Sequence, residues 1–297
     1  MSWPRCRGHL ISMPDEIKQK EALIRVITLA QQWSGCNFLR YNPGTLERRV
    51  GRRMIDARCQ NISEYLDFLE RHPSEYHRLV AGLTIKVSCF FRDPPMFSIL
   101  EKVVLPRLFA QAKDSGRRQI RVWSTACAGG EEAYSLAILF AEQTKLISQV
   151  STSILATDLD PDALASAATG LYPDDSLREI AKMQRDRFFV SSPATDGEFW
   201  QIRPALRAMV DFVVFDLTST TRTSPPSGIF AEYDLILCRN MLIYCQPSLK
   251  LEIIRRLHTC LRPGGYLVLG RSESLPEEYK NHFVHIDQRV KIYAKEE

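Results

Sequence analysis

A chain of 297 residues, 45% hydrophobic and 25% charged, is long enough for two domains, each with its own core. No run approaches the roughly 18 consecutive apolar residues of a membrane span, so the sequence reads as soluble and cytoplasmic, without membrane insertion. The net charge of +4 is too small to argue for nucleic acid, but residues 1–80 hold 13 Lys/Arg against 9 Asp/Glu while the remainder holds 26 of each, so all the excess is local.

Residues 1–14 lack the apolar region of a signal peptide and read as a flexible lead-in. From Asp15 to about residue 82, apolar residues recur at helical spacing (Leu23, Ile27, Ala30; Leu46, Val50, Met54), which predicts a small domain of three or four short helices. Asn42-Pro43-Gly44 and His72-Pro73-Ser74 are its turn signals, with Ser74 a candidate N-cap. Arg48, Arg49, Arg52 and Arg53 pair at i, i+4 into a positive stripe beside the apolar one.

From residue 83 onward the pattern changes. Asp93 is a candidate N-cap with Pro94 at the first helical position of a helix carrying MFSILEKVVLPRLFAQA. Strand and helix then alternate: QIRVWS (119–124), YSLAILFAEQT, SILATD (153–158), a helix capped by Asp160, VDFVVFD (210–216), YDLILC (233–238), SLKLEIIRRLHTCL, a Pro263-Gly264-Gly265 turn and YLVLG. This alternation predicts a mostly parallel sheet with helices on its faces. HFVHI and VKIYAKE have too little between them for a helix and read as a closing antiparallel hairpin. Residues 173–209 interrupt the alternation and read as a small inserted β subdomain. Eight cysteines without a C-x-x-C pair or a matching histidine set read as free thiols, and no metal is expected.

In an open parallel sheet, ligands collect beyond the carboxyl ends of the strands. The first such loop is ACAGGEEAYS, whose Gly129 and Gly130 admit close approach of a ligand or are purely structural; without G-x-G-x-x-G, a dinucleotide pyrophosphate is not expected. Asp158 ends the second strand, where a carboxylate can accept from two vicinal hydroxyls; with Asp160 as the better cap, it is expected to be free for this. Asp216-Leu217 pairs a short acceptor with an apolar residue. Arg239 and Asn240 emerge from a buried strand, where polar groups are costly without partners. Arg92, after two aromatics in SCFFRD, is either a carboxylate clamp or a surface ion-pair partner.

Taken in order, SCFFRD, VWSTACAGGEEAYS, ATDLD, ATGLY, CRNMLIY and GRSESL resemble the motifs of the chemotaxis receptor glutamate methyltransferases, the CheR family, over nearly the whole chain from about residue 15. The resemblance implies a class I S-adenosylmethionine-dependent methyltransferase fold, Rossmann-like, preceded by the all-helical domain. It implies that Lys86, Ser88, Arg92, Glu132, Asp158, Asp216, Leu217, Arg239 and Asn240 hold S-adenosylmethionine, with S-adenosylhomocysteine as product. Arg92 and Tyr244 are then the residues nearest the transferred methyl. Lys86, Ser88, Ala133, Cys245 and Asp216 depart from residues usual in the family. The implied reaction methylates glutamate side chains in the cytoplasmic helical region of a chemoreceptor by a monomeric enzyme. The arginines at 48, 49, 52 and 53 would face that substrate, and the insert, around 185–205, corresponds to the part that in some members grips a receptor C-terminal peptide. The rival reading is a regulatory protein that binds S-adenosylmethionine without transferring its methyl group.

Overall fold

The computed structural model describes residues 15–84, 88–144, 150–192, 199–219, 232–287 and 289–296. The chain divides into two compact units, Met1–Leu83 and Thr84–Glu297.

In the first unit, four helices bury one apolar stripe each: α1 (Asp15–Ser34), α2 (Pro43–Asp56), α3 (Ile62–Arg71) and α4 (Ser74–Leu83). The first has 20 residues, so the expectation of short helices fails there. Asn42 caps α2 by accepting the Gly44 N–H at 3.0 Å, with Pro43 behind it, so the predicted turn is also a helix start. Ser74 is the first residue of α4 rather than its cap. Val26, Ala30, Phe38, Val50, Tyr65, Leu69 and Leu79 form the core, each fully buried.

The second unit opens with α5 (Pro94–Ile99), which continues through a π turn at Leu100–Val104 into α6 (Leu105–Asp114). Pro106 has no N–H for a helical bond, and the widened turn directly before it accommodates that loss within one continuous helix. Asp93 precedes α5 as expected but makes no side-chain capping bond and has φ 73°.

The sheet has the order β6-β2-β1-β7-β8-β10-β9. Its strands are β1 (Gln119–Thr125), β2 (Ser151–Asp158), β6 (Val210–Val214), β7 (Tyr233–Cys238), β8 (Leu261–Leu269), β9 (Phe283–Asp287) and β10 (Ile292–Lys295). The first five pair in parallel, and β10 pairs antiparallel with both β8 and β9, making the predicted hairpin. Alternate residues face opposite layers: Val122, Leu235 and Leu237 join one apolar cluster, Trp123, Ile236 and Cys238 the other. Each central strand is therefore apolar on both faces, because α7 (Glu131–Thr144) packs in one layer and α11 (Pro247–Cys260) in the other. The Pro263-Gly264-Gly265 segment is not a separate turn; it lies inside β8, where the register with β7 shifts and Gly264 takes φ 70°.

Following α8 (Pro161–Thr169), the insert forms a three-stranded antiparallel sheet, β3-β5-β4, with β3 (Leu171–Pro173), β4 (Phe189–Ser191) and β5 (Phe199–Ile202). Helix α9 (Lys182–Phe188) leads into β4, and the one-turn α10 (Pro204–Arg207) returns the chain to β6. The small sheet thus begins two residues before the predicted boundary.

His258, on α11, packs its ring against Tyr279, His282 and Phe283, with centroids at 5.3–5.5 Å. Burial, reinforced by the charges of Lys295 and His282, lowers its pKa from 6.5 to about 4. Between these values His258 binds fewer protons folded than unfolded, so its share of stability is present at neutral pH and lost as pH falls toward 4. His258→Phe is expected to flatten the pH dependence of the urea midpoint across this window; an unchanged slope excludes the assignment.

Candidate functional site

The strand order reverses between β1 and β7, whose carboxyl ends therefore flank a crevice. Loops from four strands and the turn at 88–93 supply the candidate residues. Five of the six non-glycine residues with positive φ among the described residues lie in these segments: Phe91 (50°), Asp93 (73°), Ala126 (51°), Ala128 (48°) and Asn240 (60°). Backbone held in this region costs energy and persists only where surroundings impose it, which is common at ligand sites.

Beyond β1, Gly130 has φ 86°, and a Cβ there would lie 2.8 Å from the Ala167 Cβ and 3.0 Å from the Phe212 ring. Gly130 thus permits packing against α8 and β6, the structural alternative. The N–H of Ala128 in the same loop donates to Asp158 Oδ2 at 2.8 Å, and that of Asp160 to Oδ1 at 3.1 Å. Asp160 caps α8, accepting from Asp162 and Ala163, as expected. Asp158 is nevertheless not free: it fixes the β1 loop. An ionised carboxylate offers about four acceptor positions, so two backbone bonds leave capacity for hydroxyl donors. Burial pushes its carboxyl up.

Arg239 is the hub of the site. Its side chain, 2% exposed, donates to Glu132 Oε2 at 2.9 Å and to the Arg92 carbonyl at 2.8 Å, lies 3.7 Å from Asp93 Oδ2, and stacks over Phe97 at 5.8 Å. Glu132 also accepts from Ser124 Oγ at 2.8 Å. The end of β7, the start of α7 and the 91–93 turn are therefore joined through one guanidinium. Ser88 bonds Glu131, whose carboxyl burial pushes up. Phe91 N–H donates to Ser135 Oγ at 2.9 Å. Asp216 Oδ1 accepts from both the N–H and the hydroxyl of Thr218, at 2.7 and 2.6 Å, so this acceptor also shapes its own loop. Leu217 is buried, and its carbonyl accepts from Arg256 of α11. Tyr244 ends a 3-10 turn, Leu242–Tyr244. Lys86 lies outside the described residues, as does the lead-in 1–14.

Two residues that sequence reasoning passed over are Arg256 and Glu273. Glu273 is 4% exposed and accepts from the Asn240 N–H at 3.0 Å. Its signal was a carboxylate three residues beyond the apolar run YLVLG, within the GRSESL motif.

The rim suits some ligands and not others. Glu131 and Glu132 occupy the first turn of α7, and Asp158 ends β2. Carboxylates at a helix N-terminus occupy the position where a pyrophosphate would bind, while accepting hydroxyls and positive charge. A cationic, phosphate-free nucleoside such as S-adenosylmethionine fits this donor set. Among the described residues there is no His/Cys/Asp/Glu group that could hold a metal, and all seven described cysteines are free.

In the helical unit the four arginines divide. Arg53 donates to Glu75 Oε1 from Nε (3.0 Å) and Nη2 (2.7 Å), and Tyr65 OH donates to the same oxygen at 3.0 Å. Glu75 is 2% exposed. Arg49 donates to the Gly82 carbonyl at 2.7 Å. Arg48 and Arg52 are exposed, Arg52 facing Asp56 at 3.4 Å. The four-member stripe therefore reduces to two solvent-facing members.

Comparison with known proteins gives two consecutive family matches, described as "CheR methyltransferase, all-alpha domain" over residues 21–84 and "CheR methyltransferase, SAM binding domain" over residues 86–292. An uncharacterised 104.1 kDa protein of Rhodobacter capsulatus is 37% identical over 280 residues, covering 94% of this chain but only 28% of that protein. The chemotaxis protein methyltransferase of Listeria innocua is 31% identical over 258 residues, 85% of this chain and 92% of that one. Chemotaxis protein methyltransferase 1 of Pseudomonas aeruginosa is 34% identical over 240 residues, 78% and 83% of the two chains.

Removing Arg53 leaves the buried Glu75 carboxylate with only the exposed Arg78, 3.9 Å away, as a cation. Arg53→Leu is expected to destabilise the protein by about 3 kcal/mol, seen as a lower urea midpoint, whereas Arg48→Leu changes it by less than about 0.5 kcal/mol.

Proposed function

The chain belongs to the CheR methyltransferase family, and from that premise we propose that it methylates glutamate side chains of chemoreceptors, forming methyl esters. It is an S-adenosylmethionine-dependent methyltransferase of chemotaxis. The observation that carries the finer reading is the anionic, phosphate-excluding rim around the β1/β7 switch point, combined with a crevice whose assigned residues include no histidine.

S-adenosylmethionine supplies an electrophilic methyl on a sulfonium: a carboxylate oxygen bonds the methyl carbon while the S–CH₃ electron pair passes to sulfur, leaving S-adenosylhomocysteine. A glutamate side chain, with an ordinary pKa of roughly 4.3, is already ionised at neutral pH, so no proton must be removed. What the protein contributes is in-line placement and exclusion of water. Asp158 would accept the ribose hydroxyls with its remaining lone pairs, and Asp216 with Leu217 would bracket the adenine. Ser88, Glu132 and Asn240 complete the cradle. Arg92 would clamp the methionine carboxylate, and Tyr244 would be the residue beside the methyl. Arg239, with almost no exposed side chain, holds Glu132 and the Arg92 backbone in place. Arg48 and Arg52 draw the acidic receptor helix toward the helical unit. The small β3-β5-β4 sheet is a second candidate contact, for a receptor C-terminal peptide.

Tritium transfer from S-adenosylmethionine to a receptor cytoplasmic fragment should give label released as methanol by alkali. Asp158→Ala should raise the KM for S-adenosylmethionine at least tenfold, losing both ribose acceptors. Cofactor binding without any alkali-labile label would instead favour the regulatory protein, and alkali-stable label a different acceptor.

Arg48→Glu with Arg52→Glu should raise the KM for the receptor fragment severalfold at low salt, the difference vanishing near about 0.5 M salt. An unchanged KM removes the steering role.

A further inference from the structure

The carboxylate of Glu273 sits inside the second unit, 4% exposed, at the exit of β8. Oε1 accepts the N–H groups of Leu242 (2.7 Å) and Ile243 (3.3 Å), and Oε2 those of Asn240 (3.0 Å) and Gly270 (2.6 Å). Two bonds on each oxygen fill the acceptor positions of a carboxylate, so Glu273 has none left for a substrate or a proton in flight. Its own N–H donates to the Gly270 carbonyl at 2.9 Å, which closes the turn that presents the side chain. The approach is tight: a Cβ on Gly270 would lie 2.6 Å from Oε2 and 2.8 Å from the Asn240 nitrogen. Asn240 has φ 60°, a conformation that a convergent set of bonds must hold.

We propose that Glu273 is a positioning residue for methyl transfer: by gathering four backbone N–H groups on one carboxylate, it fixes the 240–244 turn that carries Asn240 to the cofactor and Tyr244 to the methyl. This rests on the function proposed above. Glutamate is required for a definite reason. Glutamine has one acceptor oxygen and would turn an NH₂ toward two of the four N–H donors. Aspartate is shorter by a methylene and cannot reach both sides of the turn. Displacements of about 1 Å at reacting atoms can cost up to roughly a hundredfold in rate, so a loosened turn is expected to show in kcat before it shows in folding.

The test compares wild type, Glu273→Gln and Val268→Ala, the last a fully buried core change within β8, outside the 240–244 turn. Three quantities are measured on the full chain at a temperature where all are folded by circular dichroism: kcat for alkali-labile methyl transfer, affinity for S-adenosylhomocysteine by calorimetry, and amide exchange at Asn240, Leu242 and Ile243. Glu273→Gln should lose at least about tenfold in kcat, weaken S-adenosylhomocysteine at least threefold and speed exchange in the turn, while Val268→Ala keeps kcat despite a lower melting temperature. The proposal is overturned if folded Glu273→Gln keeps kcat and affinity within twofold of wild type, or if Val268→Ala loses kcat and affinity to the same extent. Should Glu273→Gln not fold, Gly270→Ala, which displaces the carboxylate without removing it, carries the same expectations and the same two ways to fail. If wild type binds S-adenosylhomocysteine but transfers no alkali-labile methyl, the glutamate reading falls alone; the affinity and exchange measurements still decide the role of Glu273.

Discussion

The guanidinium of Arg239 is where the second unit is tied together. A planar fork with five donors can serve several acceptors at fixed angles, and here it reaches Glu132 at the head of α7 and the Arg92 carbonyl in the turn before α5, with Asp93 beside it. Those segments come from distant parts of the chain, and the hydrophobic layers behind them fix only which strands neighbour which. Burying the pair is costly in desolvation, so its contribution to net stability is small. Its consequence is geometric: removing either charge strands the other, and removing Arg239 also takes from the 91–93 turn its bond to the Arg92 carbonyl.

A common construction recurs around the crevice. Each loop beyond a strand is held by an internal carboxylate rather than by a ladder of backbone bonds: Asp158 holds the β1 loop through Ala128, Asp216 folds back on Thr218, and Glu273 gathers the turn after β7. Loops that adopt positive φ at non-glycine positions cannot propagate regular hydrogen bonding, and buried N–H groups must still find acceptors. Carboxylates meet that need and at the same time make the rim anionic. The devices that rigidify the loops are thus also those that disfavour phosphate and favour a cation.

How much of this was legible in the sequence depends on the range of the interaction. Period-two and period-3.6 patterns act over a few residues, and they located the strands, the helices and the closing hairpin because each element buries a face that its own residues specify. The Asp160 cap was readable for the same reason, its acceptors and donors lying within three residues. Contacts across the fold were not: Glu132 and Arg239 are 107 positions apart, and Asn240 and Glu273 are 33 apart. Their residue types were conspicuous at strand ends, but nothing local says which charge meets which. Gly130 was ambiguous between ligand approach and packing until Ala167 and Phe212 were seen against it. The Pro263-Gly264-Gly265 segment looked like a turn because local propensity favours one, while pairing with β7 kept it in the sheet as an irregularity.

The arginine stripe shows the same limit applied to charge. An excess of positive residues in the first 80 positions is a sum over side chains whose environments differ, and a guanidinium bonded to a buried carboxylate adds little to the field outside. Arg53 and Glu75 neutralise one another inside the helical unit, with Tyr65 completing the bonding of the same oxygen. Burial and that neighbouring charge push the Tyr65 hydroxyl well above its ordinary range, so it stays a donor. Arg52 is partly balanced by Asp56. What remains to steer an acidic partner is a pair of exposed arginines one helical turn apart, a field that acts over about a Debye length, roughly 8–10 Å at physiological salt. Attraction of that range can orient a helix already close by; under the function proposed above, selecting the particular carboxylate would then fall to the crevice, where placement rather than charge decides the rate.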